Sequence, residues 1–183
     1  MPSSLSGMVR RRFATVLLAI AALVGVQLVG AVPAHAATRT LYYDASQAQE
    51  FVAVVNQAAT LWNGKVSNVR LVPVTAGRTP NIRVYADNGW PRTYSTSLGN
   101  GRWYMGREAV DDGYYQLRIA THEFGHILGL PDRRTGLCSD LMSGSSAPVS
   151  CTNANPSAAE AAQVQRNFAS GVTAEVQEVL FVG

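Results

Sequence analysis

Four short segments after residue 36 are rich in β-branched and aromatic residues, which is typical of strands. These predicted strands are residues 38–43, 69–74, 81–85 and 101–106. Between the last two, the stretch 86–100 is rich in Asp, Asn, Gly, Pro, Ser and Thr, so it is predicted to be a loop. The pattern therefore indicates a small sheet.

Apolar residues at helical spacing predict three helices. They are expected at residues 46–62, 114–128 and 155–170. A capping box of Ser46 and Gln49 would start the first helix, and the acidic pair before Gly113 would start the second. Residues 172–182 are expected to form a further helical piece or a frayed tail. Sheet and helices together predict a single α+β domain.

The strand at 101–106 directly precedes the second predicted helix. Two interpretations of it are open. At the edge of the sheet it would bind an extended peptide through backbone pairing; otherwise it is an ordinary structural strand.

Residues 1–36 have the three parts of a secretory signal peptide. Arg10–Arg12 form a positive region, residues 13–32 are almost wholly apolar, and Ala34–Ala36 fit the A-x-A cleavage rule. Because about 20 apolar residues can span a bilayer, an uncleaved anchor is the alternative. We expect cleavage before Ala37, secretion of the domain at 37–183, and no stable membrane association afterwards.

Charge gives no indication of a nucleic-acid partner. The 183 residues carry 15 basic and 12 acidic side chains, and Arg10–Arg12 account for the whole excess. The remaining domain has no basic run, so nucleic-acid binding is not expected. With 47% hydrophobic residues the chain suffices for one domain with a core of its own. We expect it to be monomeric.

The segment 121–132, THEFGHILGLPD, carries the candidate chemistry. His122 and His126 are four residues apart, so on a helix both imidazoles project from one face and suit one zinc ion. Glu123 lies beside His122 and could take a proton from a water on the metal. Because zinc lowers the pKa of water from about 16 to about 7, this arrangement is typical of metal-assisted peptide hydrolysis.

A catalytic zinc needs a third protein ligand. The only other histidine, His35, lies in the predicted leader. Gly129 can end the helix in a left-handed conformation, and the turn would bring Asp132 back to the metal. Glu160 on the next helix is the rival ligand, as in thermolysin-like enzymes, although it lies far from His126 in sequence.

The segment after Asp132 contains the two cysteines of the chain, Cys138 and Cys151. Outside the cytoplasm they are expected to pair. Reactive or zinc-binding thiols are the alternative. Met142 lies between them, and a lone methionine is usually part of a core.

The joint pattern resembles the snapalysin family, the small neutral metalloproteases secreted by actinomycetes, within the metzincin-like group. The matching residues are His122-Glu123-x-x-His126-x-x-Gly129-x-x-Asp132, then Cys138, Leu141-Met142-Ser143 and Cys151. The resemblance implies a zinc endopeptidase with His122, His126 and Asp132 as ligands and Glu123 as general base. It also implies a turn methionine at Met142, a Cys138–Cys151 disulfide, and cleavage before aromatic residues.

The chain departs from the family at two places. Two residues past the aspartate ligand the family usually has a tyrosine that helps to stabilise the transition state, and here the residue is Arg134. An arginine could stabilise an oxyanion electrostatically, or it could simply be solvated. At the family's calcium position the chain has Tyr115 and Leu117, which are poor calcium ligands, so calcium is not expected.

The sequence therefore predicts a secreted α+β zinc endopeptidase that acts on proteins or peptides. A small mixed sheet and a support helix would lie above the cleft, with a zinc-site helix as its floor and a C-terminal helix below. The alternative is a secreted non-catalytic module that binds zinc on the same fold, for which Arg134 is the best argument.

Overall fold

The computed structural model describes residues 37–169 and 175–182. Its strands are β1 (Arg39–Gln47), β2 (Val69–Pro73), β3 (Ile82–Asp87), β4 (Arg92–Ser97), β5 (Asn100–Gly106) and β6 (Glu175–Val182). Its α-helices are α1 (Val52–Lys65), α2 (Arg107–Asp111), α3 (Gln116–Ile127) and α4 (Ala158–Asn167). Short 3-10 turns cover Gln49–Phe51 and Leu141–Ser146. None of the helices in the described ranges has the length and apolar character needed to cross a bilayer.

The six strands form one mixed sheet in the order β2-β1-β3-β5-β4-β6. The first four of these run parallel to one another. Strand β4 is antiparallel to β5, and β6 pairs antiparallel with the other side of β4. The direction of the strands therefore reverses between β5 and β4.

Helices α1 and α3 pack against each other and against the sheet. The buried indole of Trp62 on α1 donates a hydrogen bond to the carbonyl of Thr121 on α3 at 2.9 Å. Phe124 on the sheet side of α3 meets Trp103 of β5 edge to face, with ring centroids 5.2 Å apart. The hydrogen bond and the ring contact fix α3, the helix with the two histidines, against strands β4 and β5.

The predicted fold class is confirmed, with a mixed sheet, a support helix (α1), a histidine-bearing helix (α3) and a C-terminal helix (α4). The strands predicted at 69–74 and 81–85 correspond to β2 and β3. The predicted leader at 1–36 lies outside the described residues. Of the predicted tail at 172–182, residues 175–182 form a strand rather than a helical piece.

The predicted loop at 86–100 is wrong in its second half, because that stretch contains β4. Thr93 and Ser95 point inward on this strand and are buried, so the usual apolar signal of a core-facing strand is missing. The idea that 101–106 is an edge strand is also wrong. Strand β5 lies between β3 and β4, as an ordinary structural strand does.

Both predicted helix starts lie elsewhere. Ser46 belongs to β1, and α1 begins at Val52 after a 3-10 turn. The acidic residues before Gly113 end α2 rather than start α3, since Gly113 has a φ of +94° and breaks the helix. Helix α3 begins after Tyr115, whose side chain does not cap the N-terminus of the helix.

Candidate active site

Helix α3 presents His122 and His126 one turn apart on the same face, as the spacing predicted. Both side chains are buried, and their Nε2 atoms are 3.0 Å apart. His122 Nδ1 lies 3.0 Å from the carbonyl oxygen of Leu141, and His126 Nδ1 lies 2.8 Å from that of Leu130. A carbonyl oxygen only accepts hydrogen bonds, so each Nδ1 carries the proton and each Nε2 presents a lone pair.

The chain reverses after α3 and brings Asp132 to the two histidines. Gly129 has a φ of +86°, and Asn167 of α4 donates hydrogen bonds to the carbonyls of Leu128 and Gly129. The Oδ1 atom of Asp132 then lies 3.2 Å from His122 Nε2 and 3.5 Å from His126 Nε2. The turn thus lies where the sequence predicted it. Helix α4 supplies the hydrogen bonds to the carbonyls of this turn.

These three side chains have the donor chemistry of a zinc site. Their ligand atoms all lie within 4.8 Å of one another. Asp132 Oδ1 is buried and has no well-formed hydrogen bond, although it is near both Nε2 atoms. Two lone pairs and a carboxylate oxygen that face each other without a proton between them repel, and a divalent cation relieves this repulsion. The residues present therefore fit Zn²⁺.

The charges at this site shift the pKa values of its members. Burial alone would lower the pKa of His122, but the carboxylates of Asp132 and Glu123 outweigh it, and the pKa is raised. Burial alone would raise the pKa of Asp132, but the two histidine rings next to its carboxylate hold it well below its usual range. The histidines thus keep Asp132 ionised, as a metal ligand has to be.

Glu123 projects beside the two histidines into a buried environment. Its Oε2 atom accepts a hydrogen bond from Thr93 Oγ1 at 2.6 Å. Its Oε1 atom is buried and has no hydrogen-bond partner within the described ranges. Burial raises the pKa of this carboxyl above its ordinary value, although the histidines and Thr93 act against the shift. One oxygen of the carboxylate is therefore anchored by a hydrogen bond, and the other is not.

The side chain of Met142 packs against α3 at Gly125. A Cβ atom on Gly125 would come within 2.6 Å of Met142 Sδ and 3.4 Å of the Trp62 ring. This explains the glycine in the middle of α3, where it costs up to about 1 kcal/mol relative to alanine. The glycine lets the methionine side chain pack directly against α3 next to His126 in the sequence.

Two buried charged side chains hold the segment around Met142. Arg118 of α3 donates hydrogen bonds to the carbonyls of residues 138, 140, 141 and 153, at 2.6 to 3.4 Å. Glu160 of α4 accepts from the backbone N–H of Met142 at 2.7 Å and from that of Ser157 at 2.6 Å.

Among the described residues the metal-type cluster comprises His122, His126 and Asp132. Glu160 as the third ligand is therefore wrong, because its carboxylate fixes backbone instead.

Arg134, the residue in the place of the family tyrosine, lies on Asp132. Its Nη2 atom is 3.3 Å from Asp132 Oδ2, and its Nη1 atom donates to Ser145 Oγ at 3.4 Å. The side chain is about half exposed, at 51%. The guanidinium thus contacts the outer oxygen of the carboxylate whose inner oxygen faces the histidines.

Cys138 and Cys151 form a disulfide with Cα atoms 5.6 Å apart, as expected from the sequence. The bridge closes the segment that contains Met142. The thiol alternative is therefore wrong for both cysteines, and Arg118 binds the carbonyl of Cys138 inside the same closed segment.

A pocket with mainly apolar walls opens beside Glu123. Trp90 and Tyr114 form one wall, with their rings in edge contact at 5.7 Å between centroids. Ile119 and His122 of α3 also line the pocket. The pocket is therefore adjacent both to His122 of the metal-type cluster and to the Glu123 side chain.

Sequence reasoning missed two residues of this site. Arg118 is one turn before His122, and a lone charge on an otherwise apolar helix face was a signal that could have found it. Thr93 carried no local signal. It reaches Glu123 only because β4 crosses above α3, which is a consequence of strand order.

Comparison with known proteins agrees with the geometry. A model of the Streptomyces extracellular neutral proteinase (M7) family matches residues 38–171. The chain is 40% identical over 142 residues to an "Extracellular small neutral protease" of Streptomyces coelicolor, covering 76% of this chain and 64% of that protein. It is 38% identical over 135 residues to one of Streptomyces caespitosus, covering 73% of this chain and all of that protein.

A hatching-enzyme zinc-protease of the medaka fish, among solved structures, is 25% identical, with a TM-score of 0.37 over 64% of this chain and 58% of that one. The chain spans just under two thirds of the length of the Streptomyces coelicolor relative. The family match covers nearly three quarters of the chain and includes every residue of the site described above. The chain belongs to the Streptomyces extracellular neutral proteinase (M7) family.

Proposed function

We propose that this protein is a secreted zinc-dependent endopeptidase that hydrolyses peptide bonds in proteins. One observation carries the proposal: two imidazole lone pairs and a carboxylate oxygen converge beside a buried glutamate with a free oxygen. The names of the Streptomyces relatives, which describe extracellular proteases, support the same function. They also support secretion and the role of residues 1–36 as a leader.

His122, His126 and Asp132 would hold the zinc ion. Zinc bound there would polarise the scissile carbonyl and make a water molecule acidic. Arg134 would position Asp132 through its outer oxygen, and this contact supports a ligand-orienting role more than direct contact with an oxyanion. Met142 would support the two histidines from below.

Glu123 would act as the general base and then as the general acid. Its Oε1 atom would take the proton from the attacking water, while Thr93 keeps Oε2 in place. The same oxygen would then pass the proton to the leaving amine. The raised pKa of this buried carboxyl suits a group that must be protonated in one half of the reaction.

The apolar pocket beside Glu123 would hold the side chain after the scissile bond. The Trp90 and Tyr114 rings favour an aromatic side chain, which can stack or meet them edge to face. Peptides that differ only at this position test the preference. We expect kcat/KM to fall in the order Phe or Tyr, Leu, Ala, Asp, and equal values for all of them would refute the assignment.

The function is tested by zinc content and casein cleavage in the exported protein, its Glu123→Gln variant and its Asp132→Ala variant. We expect one zinc and cleavage in the natural chain, zinc without cleavage in Glu123→Gln, and weaker zinc binding in Asp132→Ala. Bound zinc without cleavage of any protein or peptide by the natural chain would refute the proposal. The non-catalytic zinc module would then be correct.

A further inference from the structure

The outer edge of β4 is occupied by the C-terminal part of the same chain. Strand β6 pairs antiparallel with β4 in a register that places Glu175 opposite Ser97 and Val182 opposite Arg92. The pairing follows β4 over its whole length, with one irregularity between Ser95 and Ser97. The backbone groups on this side of β4 are therefore used within the chain.

This edge lies beside the proposed reaction centre. Thr93 of β4 donates to the Glu123 carboxylate at 2.6 Å, and Ser95 Oγ donates to the carbonyl of His126 at 3.4 Å. In the β4–β6 register, Phe181 is the residue opposite Thr93. A strand paired to β4 thus lies directly beside the helix that carries the glutamate and the histidines.

Strand β6 runs along β4 in the direction expected for a bound peptide substrate. Trp90 and Pro91 line the pocket next to Glu123, and β4 begins immediately after them at Arg92. Strand β6 runs toward this end, because its last residue pairs with Arg92. A peptide paired antiparallel to β4, with the side chain after its scissile bond in the pocket, runs the same way. Strand β6 therefore occupies the place of the residues before the scissile bond.

The paired segment lies beyond the part of the chain that the family model matches. The family match ends at residue 171, and β6 begins at Glu175. Strand β4 lies within the family match, whereas the segment paired to its outer edge lies beyond it.

We propose that residues 175–182 act as an internal, product-like ligand of the β4 edge and compete with extended substrates. This inference rests on the proposed endopeptidase function. Main-chain pairing supplies the attraction, as in other cases of strand addition. Because the segment is tethered, it is present at an effective concentration of about 1 mM. If the free peptide binds with a Kd of about 0.1 mM, the tether raises KM about tenfold.

The test compares the full chain with a variant that ends at Gly171. A second variant, Glu178→Pro with Val179→Pro, keeps the full length. Two adjacent prolines remove an N–H that faces β4 whichever of the two residues points inward. For peptides with four or more residues before the scissile bond, we expect both variants to lower KM about tenfold with kcat unchanged. Peptides with one residue there serve as the control and should show no change.

A synthetic peptide of residues 175–182, EVQEVLFV, provides a readout independent of cleavage. We expect it to bind the shortened protein in fluorescence polarisation, to bind the full chain at least several-fold more weakly, and to inhibit the shortened enzyme competitively. A scrambled peptide is the control. Equal peptide binding by the two proteins, or equal KM in all three enzymes, would overturn the inference. If no form cleaves, the proposed function fails, and the binding comparison still decides whether the edge is self-occupied.

Discussion

Replacing Thr93 by valine tests how the proposed general base is held. The change removes one hydroxyl with little change in volume, at a side chain that is fully buried. It deletes the 2.6 Å hydrogen bond to Glu123 Oε2 and leaves that carboxylate oxygen without its partner. The effect is therefore expected on the orientation of Glu123 and not on the metal ligands.

The expected magnitude follows from the type of bond. A hydrogen bond to a charged group contributes about 1.5–3 kcal/mol, and each 1.4 kcal/mol is a factor of about ten in rate. We therefore expect kcat/KM to fall about 10- to 100-fold in Thr93→Val, mainly through kcat. Thr93→Ser keeps the donor and should recover most of the loss.

The assay is the steady-state hydrolysis of a quenched fluorescent peptide, with zinc measured in the same samples. Ser95→Ala is the matched control, since Ser95 lies on the same strand and face but contacts the backbone of His126. We expect full zinc content in all variants and nearly normal kcat in Ser95→Ala. If Thr93→Val retains kcat within about twofold, the hydrogen bond does not position the base.

Three further predictions concern the support of the site. Arg118→Met should lower the free energy of unfolding by about 2–4 kcal/mol and weaken zinc binding, because it leaves several buried carbonyls unpaired; unchanged denaturant midpoint and zinc affinity would contradict this. Cys138→Ser with Cys151→Ser should cost about 3 kcal/mol of stability, measured by urea unfolding, since the closed segment spans 13 steps in sequence. Asp87→Asn should cost about 1 kcal/mol at pH 7, because Arg92 holds the pKa of Asp87 below its ordinary value. The Asp87 contribution is present above the unfolded pKa of about 3.9 and is lost as pH falls through the lower folded pKa, so unfolding curves in EDTA at pH 7 and in acid should show the difference disappear.

The metal-type cluster was predictable because its determinants are local. The spacing of His122 and His126 on a helix, followed by a glycine with positive φ, is sufficient to bring Asp132 back. The segment is short and each step follows from backbone geometry. Only the support of the turn by Asn167 required knowledge of where α4 packs.

Strand β4 could not be predicted because its inward side chains are polar. Thr93 and Ser95 point toward α3 and find acceptors on it, so the strand needs no apolar face. These hydrogen bonds between strand hydroxyls and a helix can be recognised only after the order of the strands in the sheet is known. The position of β5 was mispredicted for the same reason, since nothing local shows that β4 lies beyond it in the sheet.

The acidic residues Asp111 and Asp112 misled the prediction of the helix start. Asp111 ends α2, and the backbone N–H of Asp112 and Gly113 complete that short helix. Helix α3 begins three residues later without a side-chain cap. Acidic residues near a helix end are only a weak preference, and the packing of α3 in the core outweighs it.

The two imidazoles are oriented by main-chain oxygens, those of Leu130 and Leu141. Every amino acid supplies such an oxygen, so no single substitution at either position removes the acceptor itself. The tautomer of each histidine is therefore set by the path of the backbone. It does not depend on which side chains stand at these two positions. A lineage can vary residues 130 and 141 for packing while both ring nitrogens continue to face the same point.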